Sequence, residues 1–219
     1  MLETVTPDAP APGTANPKPA RPDTPRMLLH VGCGPKRAVG SHPLFAADRW
    51  GETRLDIDPA VAPDVVASMT AMPMVPEASH DAVFSSHNLE HLFPHELRAA
   101  LAEFRRVLKP GGFVLAMVPD IQKAAAAIAA GQGHLPLYVS PSGPITPFDV
   151  IYGHQRSIET GMVYMAHRNG FVIGTLLAVL QEADFTAVHA KRHGFDLIAM
   201  AYKGHRPADG PVLQGKPAP

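Results

Sequence analysis

Short segments rich in apolar residues recur along the chain and predict the strands of a sheet. They are four to six residues long and lie at 27–31, 53–57, 64–67, 81–85 and 113–118, and the first and last are almost wholly apolar. Runs of this length that end at glycine, proline or polar residues are typical of strands covered on both faces. We therefore expect five buried strands in the first half of the chain.

Helical periodicity is clearest over residues 94–108, where four apolar residues recur three or four positions apart and form one stripe. A Pro-Gly-Gly turn at 110–112 ends this helix, because proline cannot continue the hydrogen-bond ladder and glycine supplies the turn. Further helices are predicted near 43–50, over 121–130 and over 172–182. Strands and helices therefore alternate along most of the chain.

The last two predicted strands, 185–191 and 195–202, flank a His-Gly turn and predict an antiparallel hairpin. Strands that alternate with helices are typical of a parallel sheet with helices on both faces. The predicted fold is α/β: a doubly wound, mainly parallel seven-stranded sheet of the Rossmann-like type with a C-terminal antiparallel hairpin. Such sheets bind ligands at the carboxyl ends of their strands.

Proline is concentrated at the two ends of the chain. Seven of the 24 prolines lie in the first 25 residues and four lie in the last 13. Because these ends lack hydrophobic periodicity, we expect residues 1–25 and 204–219 to be disordered tails around one domain, residues 26–203. Within that domain, residues 132–166 are predicted to be loop-like. Their apolar and aromatic content favours a lid or binding segment.

Charge and cysteine content exclude several classes of protein. Nineteen basic and 20 acidic residues give a net charge of −1, so no strong field attracts nucleic acid or anionic lipid. The single cysteine, Cys33, excludes an intrachain disulfide framework and a multi-cysteine zinc site. The chain has no secretory pattern at its start and no apolar stretch of membrane-spanning length. We expect a cytoplasmic protein without nucleic-acid or membrane partners; its oligomeric state stays open.

Two strand-end loops carry the first candidate chemistry. The first strand runs into Gly-Cys-Gly-Pro at 32–35, where small residues let a ligand lie against the backbone amides. Asp56 follows the next strand, and one carboxylate there can accept both hydroxyls of a ribose. The dinucleotide fingerprint needs a third glycine at position 37, which is Arg37 here. A nicotinamide-dependent oxidoreductase is therefore the less favoured alternative.

Five segments, in order, resemble those of class I S-adenosylmethionine-dependent methyltransferases: HVGCGP, RLDIDP, DVVASMTAMPM, DAVFSSHNLEHL and EFRRVLKPGGFVLAMVPD. The nearest group is the broad bacterial set of small-molecule methyltransferases with a Leu-Glu-His segment and a Leu-Lys-Pro-Gly-Gly turn. The resemblance covers residues 27–120, and the C-terminal hairpin is similar to the family's last two strands. It implies methyl transfer from S-adenosylmethionine to a small-molecule substrate, with S-adenosylhomocysteine as product. The alternative is a non-catalytic S-adenosylmethionine-binding partner of another protein.

The resemblance also implies which residues bind the cofactor. These residues are Gly32, Cys33 and Gly34 beside the methionine part, Asp56 at the ribose, Ile57, Ser68 and Met69 at the adenine, and Ser86 and His87 at the sulfonium side. Two positions depart from the family pattern. An acid usually stands where this chain has His30, and an aspartate often stands where it has Ser68.

His154 and Asp120 are the predicted catalytic residues. A hydroxyl or ammonium acceptor must lose a proton, and histidine has a suitable pKa range for the base. His154 belongs to the segment 132–166 that we expect to cover the cofactor and contact the acceptor. Asp120 follows a strand and is predicted to be the partner of His154.

The segment His87-Asn88-Leu89-Glu90-His91 matches the H-x-x-E-H pattern of one group of zinc peptidases. It opens directly from a strand and coincides with the Leu-Glu-His segment of the methyltransferases. We therefore expect no bound metal. Glu90 and His91 are predicted to stabilise the start of a loop or helix and to border the pocket.

Overall fold

The computed structural model describes residues 25–36 and 42–213 of the chain. The strands are β1 Arg26–Val31, β2 Trp50–Asp56, β3 Val65–Val66, β4 His80–Ser86, β5 Leu108–Pro119, β6 Tyr138–Ser140, β7 Gly143–Ile145, β8 Thr186–His193 and β9 Asp196–Tyr202. The helices are α1 Pro94–Val107, α2 Ile121–Ala129, α3 Pro147–Tyr152, α4 Gln155–Glu159 and α5 Ile173–Glu182. Short 3-10 helices lie at Pro59–Val61, Leu89–His91 and Val163–Met165.

Seven strands form one sheet in the order β3-β2-β1-β4-β5-β9-β8. Strands β1 to β5 are parallel to one another, whereas β9 is antiparallel to both β5 and β8. The predicted fold, with its C-terminal antiparallel hairpin, is confirmed. The order reverses between β1 and β4, and ligands of open α/β sheets bind at such a reversal.

The two faces of the sheet are covered in different ways. One face packs against the apolar stripes of α1 and α5, including the fully buried Phe104 and Leu176. The other face carries an aromatic cluster in which Phe45 meets Trp50 edge-on, with ring centroids 5.1 Å apart. The helix predicted near 43–50 is wrong, because residues 42–49 form turns that place Phe45 on the sheet.

The segment 132–166, predicted to be loop-like, contains short regular elements. β6 pairs with β7, and α3 starts with a capping box, in which the Asp149 amide donates to the Thr146 hydroxyl at 3.2 Å and the Thr146 amide donates to Asp149 Oδ2 at 2.9 Å. Elements of three to six residues are too short to show periodicity in the sequence. An isolated bridge between Gly153 and Ala166 joins the two ends of the remaining loop.

The folded part extends beyond the predicted boundary at residue 203. Residues 204–213 return along the sheet, where the Tyr202 hydroxyl donates to the carbonyl of Pro211 at 2.5 Å and Leu213 packs on the aromatic cluster. The predicted tails over 1–24 and 214–219 lie outside the described residues. Among the residues that the structure does describe, no helix has the length and apolar character needed to cross a membrane.

Candidate active site

A cavity of about 410 Å³ opens at the carboxyl ends of β1, β2 and β4. All but two of the predicted cofactor-binding residues line it: Gly32, Gly34, Asp56, Ile57, Ser68, Met69 and His87. Cys33 and Ser86 are not among the lining residues. A groove of about 470 Å³ between α1 and α5 lies away from these strand ends, so it is not the site expected for this fold.

Asn88 joins the ends of the two strands between which the sheet order reverses. Its side-chain amide donates to the carbonyl of Val31 at 2.9 Å and to that of Ser86 at 3.0 Å. Gly32 has a φ of +60°, and a Cβ there would lie 2.0 Å from Asn88 Oδ1. The site therefore needs glycine at position 32 for two reasons, its backbone conformation and the place that Asn88 occupies.

Asp56 bonds to the glycine loop from the end of β2. Its Oδ2 accepts from the Gly34 amide at 2.8 Å, and its Oδ1 accepts from the Asp58 amide at 3.0 Å. A carboxylate oxygen can accept more than one hydrogen bond, so both oxygens keep capacity for ligand hydroxyls. A Cβ at Gly34 would meet nothing within 4 Å, so the loop leaves open space beside the carboxylate.

Arg54 also binds this loop, a role that was not predicted from the sequence. Its guanidinium, on a residue only 8% exposed, donates to the carbonyls of Gly34 at 2.5 Å and Ala62 at 2.8 Å. Sequence pattern gives no signal for this role, because Arg54 stands in β2 where an alternating side chain could face either side.

His87 lies at the other end of the cavity, between two carboxylates. Its Nδ1 is 3.6 Å from Glu90 Oε1 and its Nε2 is 3.7 Å from Asp196 Oδ2, so both contacts are electrostatic rather than hydrogen bonds. Burial lowers the pKa of His87, but the two carboxylates outweigh burial and hold that pKa above its ordinary value. His87 also has a φ of +56°, an uncommon conformation for a side chain of this kind.

Glu90 is almost completely buried, at 1% exposure, and neither of its carboxylate oxygens has a hydrogen-bond partner among the described residues. Burial raises the pKa of Glu90, but His87, His91 and His167 around it outweigh burial and hold that pKa below its ordinary value. The rings of His91 and His167 meet edge-on with centroids 4.9 Å apart. A negative charge is therefore surrounded by imidazoles beside the cavity.

Among the described residues, no hydrogen bond joins the two predicted catalytic residues. The side chain of Asp120 is fully buried, and its Oδ2 accepts from Arg192 Nε at 2.8 Å while its Oδ1 accepts from the Gln122 amide at 3.1 Å. His154 bonds through Nδ1 to Ser157 Oγ at 2.6 Å. Neither residue lines the cavity. Asp120 caps the first turn of α2, and its pairing with His154 stays a prediction.

Two residues of the segment 132–166 reach the cavity, Tyr164 and Met165, and Arg168 follows just beyond it. The guanidinium of Arg168 lies 4.8 Å from the centre of the Phe93 ring. That this segment covers the cofactor and supplies most contacts to the acceptor stays a prediction.

A family model described as a methyltransferase domain matches residues 29–116, which hold the glycine loop, Asp56 and the segment around Glu90. Over these residues the chain is similar to the class I methyltransferases. The predicted resemblance is confirmed, and the alternative of a nicotinamide-dependent oxidoreductase is set aside. A comparison with curated protein sequences finds no match.

Solved structures share the fold of this methyltransferase at low identity. A Burkholderia thailandensis 1,6-didemethyltoxoflavin-N1-methyltransferase, with bound 1,6-didemethyltoxoflavin and S-adenosylhomocysteine, is 17% identical with a TM-score of 0.51, covering 83% of this chain and 72% of that one. The CurJ carbon methyltransferase is 12% identical with a TM-score of 0.54, and the match covers 85% of this chain and 50% of that one. A Methanosarcina mazei S-adenosylmethionine-dependent methyltransferase is 17% identical with a TM-score of 0.53, and the match covers 84% of this chain and 95% of that one. The first of these enzymes is named for transfer to a nitrogen and the second for transfer to a carbon, so the fold does not determine the acceptor atom.

Proposed function

We propose that this methyltransferase binds S-adenosylmethionine in the cavity at Gly32 and Asp56 and methylates a small-molecule acceptor at the His87 end. The observation that carries the proposal is the Asp56 carboxylate, which is fixed at the end of β2 by the Gly34 amide at 2.8 Å and lines the cavity. A concave site of about 410 Å³ suits a cofactor and a small partner molecule.

The residues present fit the cofactor. Asp56 offers acceptors for the two ribose hydroxyls, and Gly34 leaves room beside it for a ligand to approach the backbone. Ile57 is 65% exposed at the cavity and offers an apolar surface to the adenine ring. Met69 is half-buried in the cavity wall and adds apolar surface nearby.

The acceptor end is polar and charged. S-adenosylmethionine, when bound, supplies a methyl carbon on a positively charged sulfur, and transfer of that methyl to an acceptor atom leaves S-adenosylhomocysteine. His87 replaces His154 as the histidine assigned to receive a proton from the acceptor, because His87 lines the cavity and His154 does not. Tyr164 and Arg168 border the same end and would orient the acceptor's polar groups.

Calorimetric titration of S-adenosylhomocysteine into the full chain tests the cofactor site. Asp56→Asn removes a charged acceptor and is expected to weaken binding by about 10–150-fold, from about 1.5–3 kcal/mol for hydrogen bonds to a charged group. The matched control is Asp58→Asn, which changes a neighbouring carboxylate on the same cavity. Equal affinities for the wild type and Asp56→Asn would refute the assignment.

Turnover separates an enzyme from a non-catalytic binding protein. The chain is incubated with methyl-labelled S-adenosylmethionine and the low-molecular-weight fraction of a cell extract, and labelled products are followed by mass spectrometry. We expect a labelled small molecule together with S-adenosylhomocysteine, and loss of both in Asp56→Asn at low cofactor concentration. Cofactor binding without any labelled product would favour the non-catalytic alternative.

A further inference from the structure

A cluster of metal-binding side chains lies beside the cavity. Glu90 and His91 come from the 3-10 helix after β4, and His167 comes from the loop before α5. One ligand atom from each of the three residues lies within 4.8 Å of the other two. The fold therefore gathers two imidazoles and a carboxylate at one point.

Both histidines present the nitrogen that a metal needs. His91 Nδ1 lies 3.2 Å from the carbonyl of Ala166, and His167 Nδ1 lies 2.9 Å from the carbonyl of Val150. A carbonyl only accepts, so Nδ1 carries a hydrogen in each ring, and Nε2 is the nitrogen left to bind a metal. Metal-binding histidines are usually oriented by a bond of this kind to a carbonyl or carboxylate.

The Glu90 carboxylate lacks the partner that its burial requires. Both oxygens are buried without a hydrogen bond among the described residues, and the nearest charged contact, His87 Nδ1, is 3.6 Å away. A buried charge is costly unless it is paired or bound to a metal.

We propose that Glu90, His91 and His167 bind one divalent transition-metal ion beside the cofactor cavity. Imidazole and carboxylate ligands together favour zinc, cobalt, iron or manganese over magnesium and calcium, which prefer oxygen. Bonds of about 2.0–2.2 Å place tetrahedral ligand atoms about 3.3 Å apart. Side-chain rotations that shorten the 4.8 Å spacing by about 1.5 Å therefore complete the site.

This proposal differs from the prediction of no bound metal, which was based on the segment 87–91 alone. His167 is the ligand that the fold adds. His91 also lines the cavity, so the metal would face the acceptor end and bind an oxygen or nitrogen of the acceptor. That catalytic role rests on the proposed function, whereas metal binding itself does not.

Titration with cobalt alone tests the site in the full, metal-stripped chain without a histidine tag. We expect one Co²⁺ per chain, detected by calorimetry and by the visible absorption of bound cobalt. His167→Ala and Glu90→Gln each remove a direct ligand, and we expect losses of affinity beyond the roughly 10–100-fold that outer partners cost. The control is His189→Ala, which changes an exposed histidine on β8 far along the chain.

Two further measurements keep the result interpretable. Zn²⁺ should raise the Tm of the wild type in a concentration-dependent way and leave the Tm of His167→Ala unchanged. This comparison still tests the site if the Glu90→Gln variant fails to fold. S-adenosylhomocysteine affinity, measured on the same variants without metal, should stay within about threefold, a change of less than 1 kcal/mol. No stoichiometric Co²⁺ in the wild type, or equal Co²⁺ affinity in His167→Ala, would overturn the metal site and leave the proposed cofactor site standing.

Discussion

Replacing Gly32 by alanine should disturb the strand-end junction through a single neighbour, Asn88. The added Cβ would lie 2.0 Å from Asn88 Oδ1, so the Asn88 side chain must leave its place. Its two short hydrogen bonds, to the carbonyls of Val31 and Ser86, would then be lost, together with a longer one of 3.5 Å to the Ser85 hydroxyl. Gly34 is a matched control, because its φ of +58° is similar to the +60° of Gly32 and a Cβ there meets nothing within 4 Å.

The expected cost follows from these two contributions. An alanine in the left-handed region costs about 1–2 kcal/mol, and the two lost hydrogen bonds cost about 0.5–1.5 kcal/mol each. Gly32→Ala should therefore lower the free energy of unfolding by about 2–5 kcal/mol, and Gly34→Ala by about 1–2 kcal/mol. Against a total stability of about 5–15 kcal/mol, this difference is readily measured.

Urea unfolding of Gly32→Ala, Asn88→Ala, the double variant and Gly34→Ala provides the assay. Once Asn88 is truncated, Gly32→Ala costs only its backbone strain, so the double variant should be more stable than the sum of the single losses by about 1–3 kcal/mol. Additivity within about 0.5 kcal/mol would refute the clash. A Gly34→Ala variant as unstable as Gly32→Ala would refute the reasoning independently.

Two further predictions concern the buried polar groups. Asp120→Ala removes the cap of α2 and the partner of Arg192, so we expect a loss of about 1–3 kcal/mol in urea unfolding with unchanged S-adenosylhomocysteine affinity; full stability with lost turnover would restore its predicted catalytic role. Burial, and next the charge of Lys109, lower the pKa of His80 from 6.5, so its contribution to stability is complete above pH 6.5 and is lost as the pH falls through the folded-state pKa. His80→Gln should therefore lose less unfolding free energy than the wild type between pH 7 and 5, and equal losses would count against this.

The sheet and the cofactor end of the site follow from the sequence because their signals are local. The α1 stripe repeats over a helix of 14 residues, long enough for its period to be unmistakable. Gly32 and Asp56 stand where strands end, and parallel strands bring such ends to one edge. The same argument also places Asn88 at this edge of the sheet, because Asn88 follows β4 by two residues.

The sequence predicts His87 and His91 at the proposed acceptor end but not His167, which meets Glu90 and His91 only in the folded chain. Glu90 and His167 are separated by a segment whose regular elements are three to six residues long, so no pattern places His167 beside the buried carboxylate. The structure gives Asp120 a structural role, while its catalytic role stays a prediction. A strand-end acid suggested catalysis, but the helix that begins at the next residue makes that acid a cap.

The bridge between Gly153 and Ala166 bears on how fast the enzyme can release its products. Beyond this bridge the chain is fastened again, because the carbonyl of Glu90 accepts from the amides of Arg168 at 2.8 Å and Asn169 at 3.1 Å. We predict that the intervening residues 154–165 move as a flap about this anchored base and carry Tyr164 away from the cavity. Exchange of S-adenosylhomocysteine for fresh cofactor would then need a movement of this short flap alone, with the sheet and α3 at rest.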